Sequence, residues 1–299
     1  MSAAEFSPLQ RPHDRLRWRR IKNRGMELVA WLAAALAVFI LGVVVWSVAK
    51  KGASALSLDL FTKSQVPSGF STATGGLANA FVGTLIVVGL ATLMALPLGI
   101  LIAIYVNEFA PRTIKRFVTL TLDVLAGVPA IVIGIFVFSL IVITHGQSAY
   151  AGAFALSVLM LPFVARTTIE VLALVPDSLR EAALGVGAPR WRTTLGIVLP
   201  QTIGGILTGA VLAVARVAGE TAPLLWTCSL AQQGTHWNPS LPLQTIPVAI
   251  FELSDQADPT SQALAWAGAF VLIMAILCLS LGARWLATRS RRKIMRASG

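Results

Sequence analysis

Six long apolar runs, at residues 26–48, 78–106, 117–144, 149–169, 202–226 and 263–287, occupy most of this 299-residue chain. A helix of roughly 20 apolar residues crosses the hydrocarbon core of a bilayer, and each run reaches that length. Inside lipid, every backbone N–H and C=O must find its partner within the segment, so single runs of this kind fold as helices. Composition agrees: 56% of the residues are hydrophobic and 12% are charged, whereas a soluble domain carries about a quarter charged residues. Mean hydropathy is +0.77. A membrane β-barrel would show alternating segments of about ten residues, much shorter than these. The expected fold class is an all-α polytopic membrane protein with six transmembrane helices.

The first run is longer than the 7–15-residue apolar core of a signal peptide. A basic leader precedes it, and Trp31 and Trp46 stand near its ends, where indole rings favour the membrane interface. It reads as a retained anchor. The organisation expected is a basic tail (1–25), an anchor helix (26–49), an outer loop (50–77), a membrane core (78–287) holding a polar loop at 176–200, and a second basic tail (288–299). Pro97 predicts a tilt or kink in the second span. The segment 227–262 carries Pro239, Pro242 and Pro247 and has room for a short interfacial helix. Neither a tandem repeat nor a soluble domain is evident.

Net charge is +11, and its placement decides its meaning. Seven of the 24 Lys and Arg lie between Arg11 and Arg24, and six between Arg284 and Arg296. These flank apolar spans, where they meet anionic lipid headgroups, and nucleic acid is not the expected partner. With six spans, one side of the membrane holds nineteen basic residues and the other holds three, Lys50, Lys51 and Lys63. The positive-inside rule then places both termini and the loop at 176–200 in the cytoplasm.

Chemistry-bearing clusters are sparse. Cys228 and Cys278 read as small packing residues. His13, His145 and His236 have no ligand partner at helical spacing, so no metal site is expected, and no cofactor motif is present. The six lysines, Lys22, Lys50, Lys51, Lys63, Lys115 and Lys293, never follow a glycine, which rules out a phosphate-cradling Gly-Lys-Ser/Thr loop. No nucleophile–base set marks an enzyme.

The polar loop is the most informative segment. Asp177 or Ser178 can cap a helix that has Glu181 in its first turn, where a carboxylate suits the helix dipole. Ala182, Ala183 and Leu184 extend it with strong helix formers. Gly185 and Gly187 then turn the chain, Pro189 starts a second short helix carrying Trp191, and Pro200 opens the next span. A short helix–turn–helix results, fit to be gripped by a soluble partner and to move the spans on either side.

Several ionisable residues lie in or at the ends of the runs. Arg216 and Glu220 fall four apart in the fifth span, on one helical face. Gly205, Gly209, Ala213 and Gly219 let neighbouring helices approach there. An Arg at that depth costs about 3 kcal/mol on insertion scales, which turns this face toward protein or a polar pathway. Two accounts stand: an ion pair that pins two helices, or a cation on a route for an anionic cargo. Arg166 and Glu170 repeat the spacing near the end of the fourth span, where snorkelling is cheap and a structural pair is expected. Asp123 reads as a local cap or hydrogen-bond hub beside Gly127 and Pro129.

The spacing Glu181-Ala182-Ala183-x-x-x-Gly187, with Ile197-x-Leu199-Pro200 after nine residues, resembles the coupling loop of bacterial ABC importer permeases. Three further stretches narrow the likeness: Gly75-Gly76-Leu77 leading to Asn79-Ala80-Phe81-Val82-Gly83-Thr84-Leu85, then Leu125 through Phe136, and Ala215 through Leu225 with its Gly-Glu-Thr-Ala-Pro. Together they are similar to the PstA-type permeases of phosphate importers. The resemblance implies a type I importer permease fold in the bacterial inner membrane and a non-enzymatic transport subunit. It implies as partners an ATP-binding subunit dimer, a second homologous permease, an extracytoplasmic phosphate-binding protein and inorganic phosphate. Glu181, Ala182, Ala183 and Gly187 would seat in the ATPase, and Arg216 and Glu220 would line the phosphate route. The alternatives are a permease for another oxyanion, sulfate or molybdate, and a secondary transporter, for which the inverted pair of broken helices is not evident.

Overall fold

A computed structural model describes residues 13–65, 75–229 and 234–297, so the basic tails and the loop at 50–77 lie partly outside the described residues. Among these residues the structure is helical, without strands. The chain divides into two units at Lys50/Lys51. The first is a single helix, α1 (His13–Ser54), whose last turn belongs to the second unit. Its apolar residues from Met26 to Trp46, Trp31 and Phe39 among them, are exposed, as expected of a helix that crosses a bilayer.

In the second unit, a short turn, α2 (Asp59–Thr62), leads to α3 (Ala78–Ile104), which runs through Pro97 and closes in a wide π turn, Tyr105–Phe109. The fourth run is α7 (Ala149–Leu172), packed along α3. Small residues make that pairing close: Ala91 and Ala95 of α3 and Ala149 and Ala153 of α7 are fully or almost fully buried in the same core as Leu156, Met160 and Val164. Lipid offers no hydrophobic drive between helices, so tight backbone approach and dispersion hold such pairs together. Leu85, Leu93 and Leu101 on the far side of α3 are 63% or more exposed, and form an apolar outer surface.

The third run departs from the expectation of one span. It forms α4 (Arg112–Gly127) and α5 (Ala130–Val137), the latter continuing through a π turn into α6 (Ile143–His145). The two halves are bent by 93°. Gly127 weakens the helix, Pro129 has no N–H to give, and the residue before a proline is pushed to extended backbone; Val128 has φ −69° and ψ 130°. Among the described residues, five helices are thus long and apolar enough to span, or six if the bent pair counts as one.

Two further boundaries move. The loop's second helix, α9 (Arg190–Thr193), does not stop before the fifth span but passes through a π turn, Thr194–Val198, into α10 (Leu199–Ala218). Arg190–Ala218 is one rod, and the widened turn leaves room for the ring of Pro200. The rod ends at Ala218, eight residues before the expected end, and a separate α11 (Ala222–Thr227) follows. Pro223 causes the break, because its ring would meet the carbonyl of Gly219 in a continuous helix. The expected short helix in 227–262 is α12 (Ile246–Ser254), and the last span is α13 (Pro259–Ala297).

Candidate functional site

The polar loop folds at one end of the bundle. Its first helix, α8 (Asp177–Gly185), begins after Pro176 without a side-chain cap, so neither Asp177 nor Ser178 plays the capping role expected of it. Gly187 has φ +83°. Its amide donates to Leu184 O at 2.9 Å and that of Ala188 donates to Ala183 O at 3.1 Å. This pair of bonds is the Schellman closure, which needs a left-handed residue where Gly187 stands. Glu181, Ala182 and Gly187 are exposed, and Ala183 is turned inward at 5%. The outward face of α8 therefore presents a carboxylate, a methyl group and a glycine turn, with Val186 85% exposed beside them.

The inward face holds a pair that the sequence reading does not single out. Arg180 forks onto Glu108 of the π turn after α3: Nε donates to Oε2 at 3.2 Å and Nη2 to Oε1 at 3.0 Å. Both side chains are largely buried. Beside them a polar cleft of about 440 Å³ is lined by Asn107, Lys115, Leu184, Arg190 and Thr193, among others. The two partners are 72 residues apart, and no periodicity links them; Arg180 counts in the sequence only as one of three basic residues in its loop.

The intramembrane charges settle differently from their spacing. Among the described residues no ion pair joins Arg216 to Glu220. Arg216 lies in the last turn of α10, Glu220 in the break beyond it, so the four-residue helical spacing never forms. Arg216 is exposed, and its guanidinium sits over the ring of Phe163 at 4.0 Å from the centroid. At an exposed site a cation–π contact contributes about 0.5–1 kcal/mol, and it leaves the N–H donors free. Arg166 and Glu170 do pair, at 3.1 Å, and Asp123 of α4 bonds the same guanidinium. Phe163, Arg166 and Glu170 share one face of α7 by helical spacing, so a partly exposed line of side chains, two of them charged, runs from Arg216 toward the α8 end of the bundle. Gly205 and Gly209 let α10 close on α7: a Cβ at either would lie 2.6 Å from Val171 or 2.7 Å from Thr167. Gly219, by contrast, caps the rod and meets no neighbouring helix.

At the opposite end, a polar chain joins the helices. Asn79 donates to Gln244 at 3.1 Å, and Gln244 donates to Glu252 at 2.6 Å. Burial pushes the Glu252 carboxyl above its ordinary range, opposed by the bond from Gln244. Thr84 Oγ1 accepts the first amide of α12, Ile246 N, at 2.8 Å. Leu241 O and Pro239 O accept the leading amides of α7, and the buried Cys228 thiol donates to Leu243 O at 2.8 Å. Desolvation raises that thiol to about 12, which leaves it unreactive.

The sequence profile described as "Binding-protein-dependent transport system inner membrane component" matches residues 95–292. The phosphate transport system permease protein PstA of Yersinia pestis is 40% identical over 272 residues, covering 89% of this chain and 90% of the relative. That of Haemophilus influenzae is 40% identical over 276 residues, covering 90% and 95%. PstA 1 of Mycobacterium tuberculosis is 37% identical over 287 residues, covering 92% and 91%. Among solved structures, a chain of a bacterial alginate ABC transporter aligns with a TM-score of 0.62 at 18% identity, over 91% of this chain and 97% of that one. A chain of the MetNI methionine ABC transporter aligns with a TM-score of 0.56 at 14% identity, over 71% and 93%; both show a shared fold. The chain therefore belongs to the inner-membrane components of binding-protein-dependent transport systems, a multi-pass membrane family, and within it to the PstA-type permeases.

Proposed function

We propose that this chain is the permease subunit of an ATP-driven importer of inorganic phosphate and forms half of the translocation route. The other half would come from a second, homologous permease. An extracytoplasmic phosphate-binding protein delivers the anion on the α12 side, and a separate ATPase dimer grips Glu181, Ala182, Ala183 and Gly187 on the α8 side. Both termini are cytoplasmic on this reading, as the nineteen-to-three split of basic residues supports. The observation that carries it is Arg216: an exposed guanidinium at mid-bundle, stacked on Phe163 and paired with no carboxylate among the described residues. A cation with free donors suits an oxyanion in transit, and Glu220 nearby keeps the anion from resting there too long. The names of the 37–40% identical relatives support phosphate over sulfate or molybdate, as does Gly219-Glu220-Thr221-Ala222-Pro223.

Deletion and complementation test this. Loss of the chain should stop growth on limiting phosphate and spare growth on limiting sulfate or molybdate, with plasmid-borne chain restoring it. A deletion strain that fails on limiting sulfate and grows normally on limiting phosphate overturns the assignment.

A further inference from the structure

A push on α8 travels along the chain to α7 on one side and to the α9–α10 rod on the other. Nothing covalent near it leads to α3. The side chains make that link. Arg180 is 18% exposed and Glu108 8%, so solvent does little to screen them. All five N–H groups of Arg180 are used: two on the Glu108 carboxylate, one on Leu172 O at 2.9 Å, one on Val175 O at 2.7 Å and one on Asp177 Oδ1 at 3.0 Å. Leu172 is the last residue of α7 and Glu108 sits in the turn that ends α3. One planar group therefore holds the ends of two spans and the inward face of α8. A two-pronged Arg–carboxylate contact fixes orientation as well as distance, which a lysine cannot do. The polar cleft beside it separates α8 from the rest of that turn, so the fork is the principal bridge.

We infer that the Arg180–Glu108 pair is the joint that passes displacement of α8 to the second span. Both are positioning residues, acting through α8 and never on the cargo. The inference rests on the reading of α8 as the ATPase's docking element. It is tested in the complete reconstituted importer with two variants, Arg180→Lys and Glu108→Gln, and one distance. Each variant should co-purify with the ATPase and hydrolyse ATP at the basal rate. Stimulation by the phosphate-loaded binding protein, counted per assembled complex, should fall about tenfold, the scale of ordinary coupling energies. Variants that lower only the amount of complex, with stimulation per complex unchanged, overturn the joint. The distance covers variants that fail to assemble: spin labels at Val186→Cys and Phe109→Cys, in a chain with Cys228 and Cys278 replaced and Arg180 and Glu108 kept, should keep their separation between the nucleotide-free and ATP–vanadate states. A separation that changes between those states also overturns it. Absence of a cross-link from Val186→Cys to the ATPase in the native complex would instead overturn the docking reading itself.

Discussion

Arg216 and Gly187 show how far single residues can be read before a fold is known. Gly187 was legible because a glycine after a run of helix formers marks a left-handed stop, and the structure gives it φ +83°. A Cβ there would meet nothing within 4 Å, so the cost of replacing it is conformational alone. Gly187→Asn should be tolerated, since Asn visits this region. Gly187→Val should cost about 1–2 kcal/mol and lower binding-protein-stimulated ATP hydrolysis without detaching the subunit from the membrane. Equal stimulation in the Asn and Val variants would show that the turn geometry is irrelevant. Arg216 was legible as a charge where charges are costly, but its partner was not. Spacing pointed to Glu220, and only the three-dimensional fold brings Phe163 beneath the guanidinium. Arg180 and Glu108 were silent altogether, because a contact across 72 residues leaves no local pattern.

The helices themselves were legible from hydropathy, and their interruptions were not weighted enough. Gly127–Pro129 and Gly219–Pro223 each sit inside a single apolar run, while the missing N–H and the proline ring break the backbone at both places. Those breaks create the 93° bend and set Glu220 apart from the rod. Close packing of α10 on α7 depends on Gly209, so Gly209→Leu should drive the two apart. Overpacking of this kind costs about 1–3 kcal/mol, and should appear as a lower thermal midpoint and weaker assembly; an unchanged midpoint would show that the approach is not tight. At the other end, α12 carries a titratable element. Glu252 has its folded-state pKa raised by burial, so the folded chain holds that proton more tightly than the unfolded chain. Its contribution is present at acidic pH and is lost as pH rises through the raised value. Glu252→Gln should therefore flatten the fall in thermal midpoint as pH rises from the ordinary carboxylate range upward. An identical slope in both proteins would remove Glu252 from that dependence.

For the whole molecule, the two ends of the bundle make one account: α8 and the cleft, with Lys115, Arg180 and Arg190, at one end, and α12 and the Asn79–Gln244–Glu252 chain at the other. With native cysteines replaced, Ser240→Cys should react with a membrane-impermeant maleimide in intact cells, and Val186→Cys only after permeabilisation. The reverse pattern would invert the topology. The central claim is that Arg216 serves the anion's route and does not merely pin helices. ATP-driven uptake of radiolabelled phosphate into proteoliposomes, comparing the native importer with Arg216→Gln and with Arg216→Gln/Glu220→Gln, tests it most directly. Loss of charge-assisted bonds to the anion is on the order of 1.5–3 kcal/mol, so uptake should fall about tenfold or more in the single variant. The account predicts that the double variant assembles with its partners and remains equally inactive; phosphate uptake restored to the native rate in the double variant would contradict it.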